Sequence, residues 1–193
     1  PRGGEGKGSP KRASFGVDGS PTRGKRLSLG GEGSAVGGSI QVCVRVRPLN
    51  AAEEKDGICV QVLTSQAPKS DAVIIEHPSK KHEQQQFVVD LAFNSFNNQA
   101  DSYASQKMLF DKIGSPLVQS CAEGYNTCLF AYGQTGSGKT FTMTGPRSPK
   151  ESRGLVPRIA EKVFDSLALD EDNYGEAIRY KVNVQYVEIY NET

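Results

Sequence analysis

Tryptophan is missing from this 193-residue chain, and histidine and methionine occur only twice each. His77 and His82 stand outside any metal-like cluster and read as surface residues at a strand end and in a loop. Cysteine is almost as sparse. Cys43, Cys59, Cys121 and Cys128 form no C-x-x-C pair, which argues against a zinc or disulfide framework. Their apolar or strand-like settings fit buried free thiols in a reducing compartment. No apolar run reaches the roughly 18 residues of a membrane span, and the N-terminus lacks the apolar core of a signal peptide. A soluble, intracellular protein without a membrane span is the expectation. Neither sign of charge prevails, since the net is +1.

That balance hides an asymmetry. Residues 1–39 carry seven basic residues against three acidic ones, a net of +4, and hold twelve of the 21 glycines. So few large apolar side chains cannot offset the entropy of ordering the segment, which therefore reads as a disordered basic tail. Residues 40–193 are long enough for one domain with its own core. Within the tail, Ser9-Pro10-Lys11-Arg12 and Ser20-Pro21-Thr22-Arg23 fit S-P-x-[KR], which suits proline-directed kinases. Lys11-Arg12-Ala13-Ser14 and Lys25-Arg26-Leu27-Ser28 fit K-R-x-S, which suits basophilic kinases. Ser9, Ser14, Ser20 and Ser28 are thus candidate acceptors, and about −1.5 to −2 charges per phosphate would let three of them cancel the tail.

Alternation of apolar and polar residues predicts a strand over Ile40–Val46, ended by Pro48, and two short strands over Ile58–Thr64 and Asp71–His77. The turn-like Gln66-Ala67-Pro68-Lys69-Ser70 separates the latter two. Tyr103–Glu123 has helical spacing, with Phe110, Ile113, Leu117 and Cys121 on one side. Gly114-Ser115-Pro116 interrupts it, giving either a bent helix or two short ones with Ser115 as the second cap. Asn126–Tyr132 is nearly all apolar, as a strand buried on both faces should be. Leu155, Ile159, Val163 and Leu167 mark a helix beginning near Pro157 and ending before Asp170. The alternation from Ile178 to Tyr186 predicts a last long strand. Strand–helix alternation over 103–169 indicates an α/β protein.

Gly133-Gln134-Thr135-Gly136-Ser137-Gly138-Lys139-Thr140 fits G-x-x-x-x-G-K-[ST] without a mismatch, after an apolar segment and before residues able to open a helix. The residue types follow from the ligand. Backbone N–H groups must curl around a polyphosphate, through dihedrals that glycine adopts at little steric cost. A helix N-terminus adds partial positive charge. Lys139 supplies a full charge and three donors for the β- and γ-phosphates. Thr140 offers a hydroxyl to Mg²⁺, which takes few protein ligands and keeps most of its waters.

A phosphate loop alone does not separate ATPases, GTPases and small kinases. The flanks do. "GYNTCLFAYGQTGSGKTFTMTG", "VRVRPLN" at 44–50, "GLVPRI" at 154–159 and "VQYVEIYNE" at 184–192 together resemble the kinesin motor domain, in its order and spacing, across residues 40–193. "YASQK" at 103–107 and "AEGYN" at 122–126 lean toward the kinesin-3 branch. The resemblance implies a P-loop NTPase-type, three-layer α/β domain with a central, mainly parallel sheet, incomplete here. It implies ATP and Mg²⁺ as cofactors, with Arg45 and Pro48 against the adenine and Phe141 on its other side. Gln134–Thr140 would wrap the phosphates. The implied partner is the microtubule, the implied location the cytoplasm and cytoskeleton, and nucleic acid is not among the expected partners. An N-K-x-D motif, which a GTPase would use to read its base, is absent.

The family's switch motifs, N-x-x-S-S-R-x-H and D-L-A-G, do not occur in these residues. Asp111-Lys112-Ile113-Gly114 has the bare D-x-x-G form but falls on a helical pattern before the phosphate loop. Water orientation and γ-phosphate sensing need such elements. The expectation is a truncated product, the N-terminal half of a microtubule-stimulated ATPase motor, without turnover of its own. The alternative is a non-catalytic nucleotide- or partner-binding fragment. In either case the segment 126–132 is expected to lack a neighbour on one flank.

Overall fold

Val42 stops short of the first strand because Asp90 claims both of its backbone groups. Its N–H donates to Asp90 Oδ2 at 2.6 Å, and its carbonyl accepts from the Asp90 and Leu91 amides. Strand β1 therefore spans Cys43–Val46, three residues shorter at its start than the alternation predicts. It pairs in parallel with β5, Leu91–Asn94, with Cys43 opposite Leu91 and Val46 opposite Asn94. The computed structural model describes residues 40–55, 57–64, 70–76, 84–174 and 179–190, with the backbone alone for 171–174. His77, His82, the turn at 66–69, Ile178 and the tail with Ser9, Ser14, Ser20 and Ser28 lie outside these residues.

The two short strands expected next are present as β2, Val60–Leu63, and β3, Asp71–Glu76. Both join β4, Gln84–Val89, in an antiparallel meander of order β2-β3-β4. The meander is tied to the parallel pair through the buried Asp71, whose carboxylate accepts from the Ala92 amide at 2.7 Å.

Helix α1, Gln106–Leu109, begins at Ser105, whose hydroxyl accepts from the Met108 amide at 3.1 Å. It runs without a break through a π-turn, Phe110–Gly114, into α2, Ser115–Ala122. Ser115 has helical dihedrals (φ −62°, ψ −46°), so it does not cap a second helix. Its amide instead bonds the Phe110 carbonyl five residues back. The wider turn answers Pro116, which has no N–H and would press against the preceding turn of a regular α-helix. Gly114 is required for a different reason: a Cβ there would fall 2.6 Å from the Phe110 ring and 3.3 Å from Ile159. Removing the Ser105 cap by Ser105→Ala is expected to cost about 1 kcal/mol, read from the urea midpoint. An unchanged midpoint would show that the cap contributes nothing.

After the five-residue helix α3, Lys139–Met143, helix α4 spans Leu155–Tyr174. Pro157 sits in its first turn, where a missing N–H is harmless. The helix does not end before Asp170. That residue is buried within it, and its carboxylate accepts from the Tyr180 hydroxyl at 2.7 Å. The core gathers where the parallel pair meets the helices: Phe93, Ala104, Leu109 and Leu155 are buried, and Leu91, Phe110, Ile113, Leu129 and Ile159 pack against them.

Two expected strands are not formed. Residues 126–132 and 179–186 have no ladder partner among the described residues. Only Leu129 of the first reaches the core, while Phe130 is 78% and Tyr132 96% exposed. In the second, Tyr186 is 98% exposed. The physical reason is that strand propensity expresses fit to a pleated, half-covered surface, and no described strand lies alongside to supply one. The cysteines also depart from expectation. All four are free, but Cys59, Cys121 and Cys128 are exposed, and only Cys43 is half-buried. Burial, with Asp90 nearby, pushes the Cys43 thiol up to about 11.

Candidate nucleotide site

The glycine-rich stretch 133–138 is a loop that enters α3 at Lys139. Gly136 and Gly138 have φ of 80° and 97°, in the left-handed region that side chains rarely adopt, although space for a Cβ exists at both. Their backbone conformation, and not crowding, demands glycine. Gly138 precedes α3 directly, and the Thr142 amide donates to its carbonyl at 2.9 Å. The first-turn amides of Lys139 and Thr140 have no partner within the helix and open toward the loop.

The Lys139 ammonium lies across the loop mouth, donating to the carbonyls of Gly133 at 2.7 Å and Gln134 at 2.8 Å. Two of its three donors are thereby oriented, and the third remains for an anion within the loop. The Ser137 amide donates to Gln134 at 3.1 Å, closing the turn. Thr140 is exposed at the start of α3, Gln134 and Thr135 are exposed along the loop, and Pro48 is exposed at the end of the β1 segment. Asp111-Lys112-Ile113-Gly114 lies in the π-turn, with Asp111 paired to Lys107 at 2.6 Å.

Arg45 and Phe141, which the sequence reading sets on opposite faces of a purine, stand against each other: the guanidinium carbon is 5.3 Å from the ring centroid. Arg45 is also committed to polar neighbours. Its Nε donates to Ser95 Oγ at 3.0 Å, and its Nη1 to Gln106 Oε1 at 2.9 Å and Thr142 Oγ1 at 3.0 Å. Burial pulls its pKa below the ordinary arginine value, and the nearby Tyr103 acts in the opposite sense. Arg45 is therefore a partly buried strut between β1, α1 and α3.

Gln106 is the hub of that strut. It is only 4% exposed, and its Nε2 donates to the carbonyls of Phe141 at 2.8 Å and Ser152 at 3.0 Å. A single carboxamide thus fastens β1, α3 and the 3₁₀ turn Lys150–Ser152 to α1. The sequence reading missed it, because Gln106 stands in an unremarkable polar stretch and its partners are 35 to 61 residues away.

Arg47 was missed as well. Its Nε donates to the Gly136 carbonyl at 2.9 Å, and its Nη1 to the Pro48 carbonyl at 2.6 Å. Nη1 and Nη2 together grip both oxygens of Glu53 at 2.7 Å. Glu53 is itself held by Asn50 in a reciprocal cap. The Asn50 amide donates to Glu53 Oε2 at 2.9 Å, and Asn50 Oδ1 accepts from the Glu53 amide at 3.0 Å. This is the capping-box pattern, with Asn in the capping position. The Arg47 fork, and after it the Asn50 amide, hold the Glu53 carboxyl down at about 2. The one signal in the chain was the N-x-x-E spacing that follows the R-x-R-P arginines.

A glycine loop leading into a helix, with a lysine at its mouth and a threonine beside it, in an α/β setting, defines a P-loop NTPase-type domain. A family model of the kinesin motor domain matches residues 45–193. Kinesin-like protein KIF1A of Rattus norvegicus is 37% identical over 158 residues, covering 81% of this chain and 9% of that protein. Kinesin-like protein KIF16B of Mus musculus is 37% identical over 160 residues, covering 80% and 12% respectively. A KIF14 structure, solved with ADP in complex with a microtubule, aligns with TM-score 0.57 and 39% identity. That alignment covers 68% of this chain and 34% of the KIF14 chain. The chain belongs to the kinesin motor domain family. It spans about a tenth of these curated relatives and about a third of the solved motor. The lean toward the kinesin-3 branch is consistent with KIF1A, KIF14 and KIF16B being among the relatives. Among the described residues no helix is long and apolar enough to cross a membrane.

Proposed function

We propose that residues 40–193 form the ATP-binding N-terminal half of a kinesin-like microtubule motor, preceded by a basic tail over 1–39. The observation that carries this reading is the loop 133–138, with two left-handed glycines leading into a helix that opens with Lys139 and Thr140. In it, Gly133–Thr140 cradle the polyphosphate. Lys139 would neutralise the β- and γ-phosphates, and Thr140 would offer its hydroxyl to Mg²⁺, which shields phosphate charge when bound. A hydroxyl and little else suits an ion that retains most of its waters. Among the described residues no cluster of His, Cys, Asp and Glu offers a competing metal site.

Pro48 and Phe141 present exposed faces to the adenine, and Arg45 acts from behind, holding Phe141 in place. Coupled to the rest of a motor, such a site drives movement along microtubules in the cytoplasm. These residues alone contain neither switch motif, so they bind nucleotide without turning it over. The exposed Phe130, Tyr132 and Tyr186 favour a second reading, a non-catalytic fragment that binds a partner through uncovered aromatic side chains. Ser9, Ser14, Ser20 and Ser28 are proposed kinase acceptors that loosen the tail from an acidic surface such as the microtubule.

Calorimetric titration of the full chain with ADP and ATP, with and without Mg²⁺, tests the proposal. Saturable binding that tightens with Mg²⁺ is expected, with phosphate release at background. A helical, folded chain that binds neither nucleotide overturns the nucleotide reading. Phosphate release above background overturns the absence of turnover.

A further inference from the structure

Arg47 does not face the proposed ligand, yet every donor it uses in this structure ends on something that shapes the site. Nε holds the Gly136 carbonyl, on the outer arc of the phosphate loop, and Nη1 holds the Pro48 carbonyl, beside the proposed adenine face. The remaining contacts go to Glu53. Surface ion pairs usually contribute little, because two long side chains must be ordered to form them. Here much of that ordering is already done. Glu53 is fixed by its reciprocal bonds with Asn50, and the fork-to-carboxylate geometry orients the guanidinium plane. The result is a rigid tie of 89 residues' separation between the end of β1 and the loop.

We propose that Arg47, locked by Glu53, is a positioning residue that sets the distance and orientation between the adenine face and the phosphate cradle. The inference rests on the nucleotide reading above and deepens it. The Gly136 carbonyl held by Arg47 shares its peptide plane with the Ser137 amide, which donates to the Gln134 carbonyl at 3.1 Å, so the tie fixes the turn that shapes the loop. A β1 end held to that loop makes the two half-sites one preformed surface. A ligand spanning both then binds without first ordering them, which is where preorganisation raises affinity.

The test uses the full chain, unsubstituted and as Arg47→Ala, Arg47→Lys and Glu53→Gln. Affinities for ADP, adenosine and pyrophosphate are measured by competition, and amide hydrogen exchange is followed over 133–138. Loss of the tie is expected to weaken ADP about tenfold, the equivalent of one charge-assisted hydrogen bond, while adenosine and pyrophosphate each change less than about twofold. Exchange over 133–138 should accelerate even without nucleotide. Arg47→Lys restores charge but not the fork, so it should resemble Arg47→Ala, and Glu53→Gln should fall between. A purely structural role would instead weaken all three ligands in parallel. That result, or ADP affinity within twofold in Arg47→Ala, overturns the proposal. If the unsubstituted chain bound no ADP, the nucleotide reading would fall by itself. Exchange would then judge the tie: acceleration in Arg47→Ala upholds it, and unchanged rates overturn it.

Discussion

Replacing Lys139 with methionine is expected to weaken ADP and ATP binding by roughly ten- to a hundredfold, with little change in melting temperature. The one donor that remains for a phosphate oxygen makes a charge-assisted bond of roughly 1.5–3 kcal/mol, and each 1.4 kcal/mol is a factor of ten. Methionine keeps the length of the stem, so the loss reports on charge and donors and not on packing. In the structure the ammonium also bridges Gly133 and Gln134, so its removal relaxes the loop mouth as well as the charge. Both effects act in the same direction. Isothermal titration of the two chains decides the matter, and equal affinities would sink the phosphate-cradle reading.

The second large effect concerns stability. Gln106→Leu is expected to destabilise the fold by about 3 kcal/mol, because it strips partners from a guanidinium and two carbonyls at once. Leucine fills a similar volume, so little of the cost is a cavity. The carboxamide is 4% exposed, whereas Phe141 and Ser152 are more open, so water recovers part of the loss at the carbonyls. For an ordered region of this size, the change corresponds to a fall of about 6–12 °C in melting temperature. Differential scanning calorimetry reads it directly. A fall under about 2 °C would show that the Arg45–Gln106 network is solvated and dispensable. Gln106→Glu should be nearly as harmful, since it keeps the partner for Arg45 but sets a carboxylate against two carbonyls.

Elements with strong local periodicity were legible before the structure: β1, β2, β3, the α1–α2 helix and α4. β4 and β5 were not. Gln84-Gln85-Gln86 carries no apolar alternation, and Leu91–Asn94 is a four-residue strand defined by its partner and not by its own pattern. The opposite error occurred at 126–132 and 179–186, where the pattern is strand-like but no described neighbour completes a ladder. Periodicity reports what a segment would bury. It does not report whether anything is there to bury it against.

The site divides along the same line. The phosphate loop was readable because its requirement is local: left-handed backbone at positions 136 and 138 forces glycine into the sequence. Arg47 and Gln106 act across tens of residues, and Glu53, which lies beyond the quoted motif at 44–50, acts through a cap with Asn50. Arg45 was singled out as an adenine contact, whereas its guanidinium is engaged by protein groups. Its partners, Ser95, Gln106 and Thr142, emerged only from the fold.

Gly145 and Gly154 bring the end of α3 against the start of α4, with the Gly154 amide on the Thr144 carbonyl at 2.8 Å. A methyl at Gly154 would fall 2.6 Å from the Met143 carbonyl group, so the two backbones touch. The intervening residues 146–151 therefore leave and re-enter through a sealed neck. Such an excursion can lengthen with only a logarithmic entropic penalty. An insertion between Gly145 and Gly154 would therefore leave the phosphate loop and α4 in place.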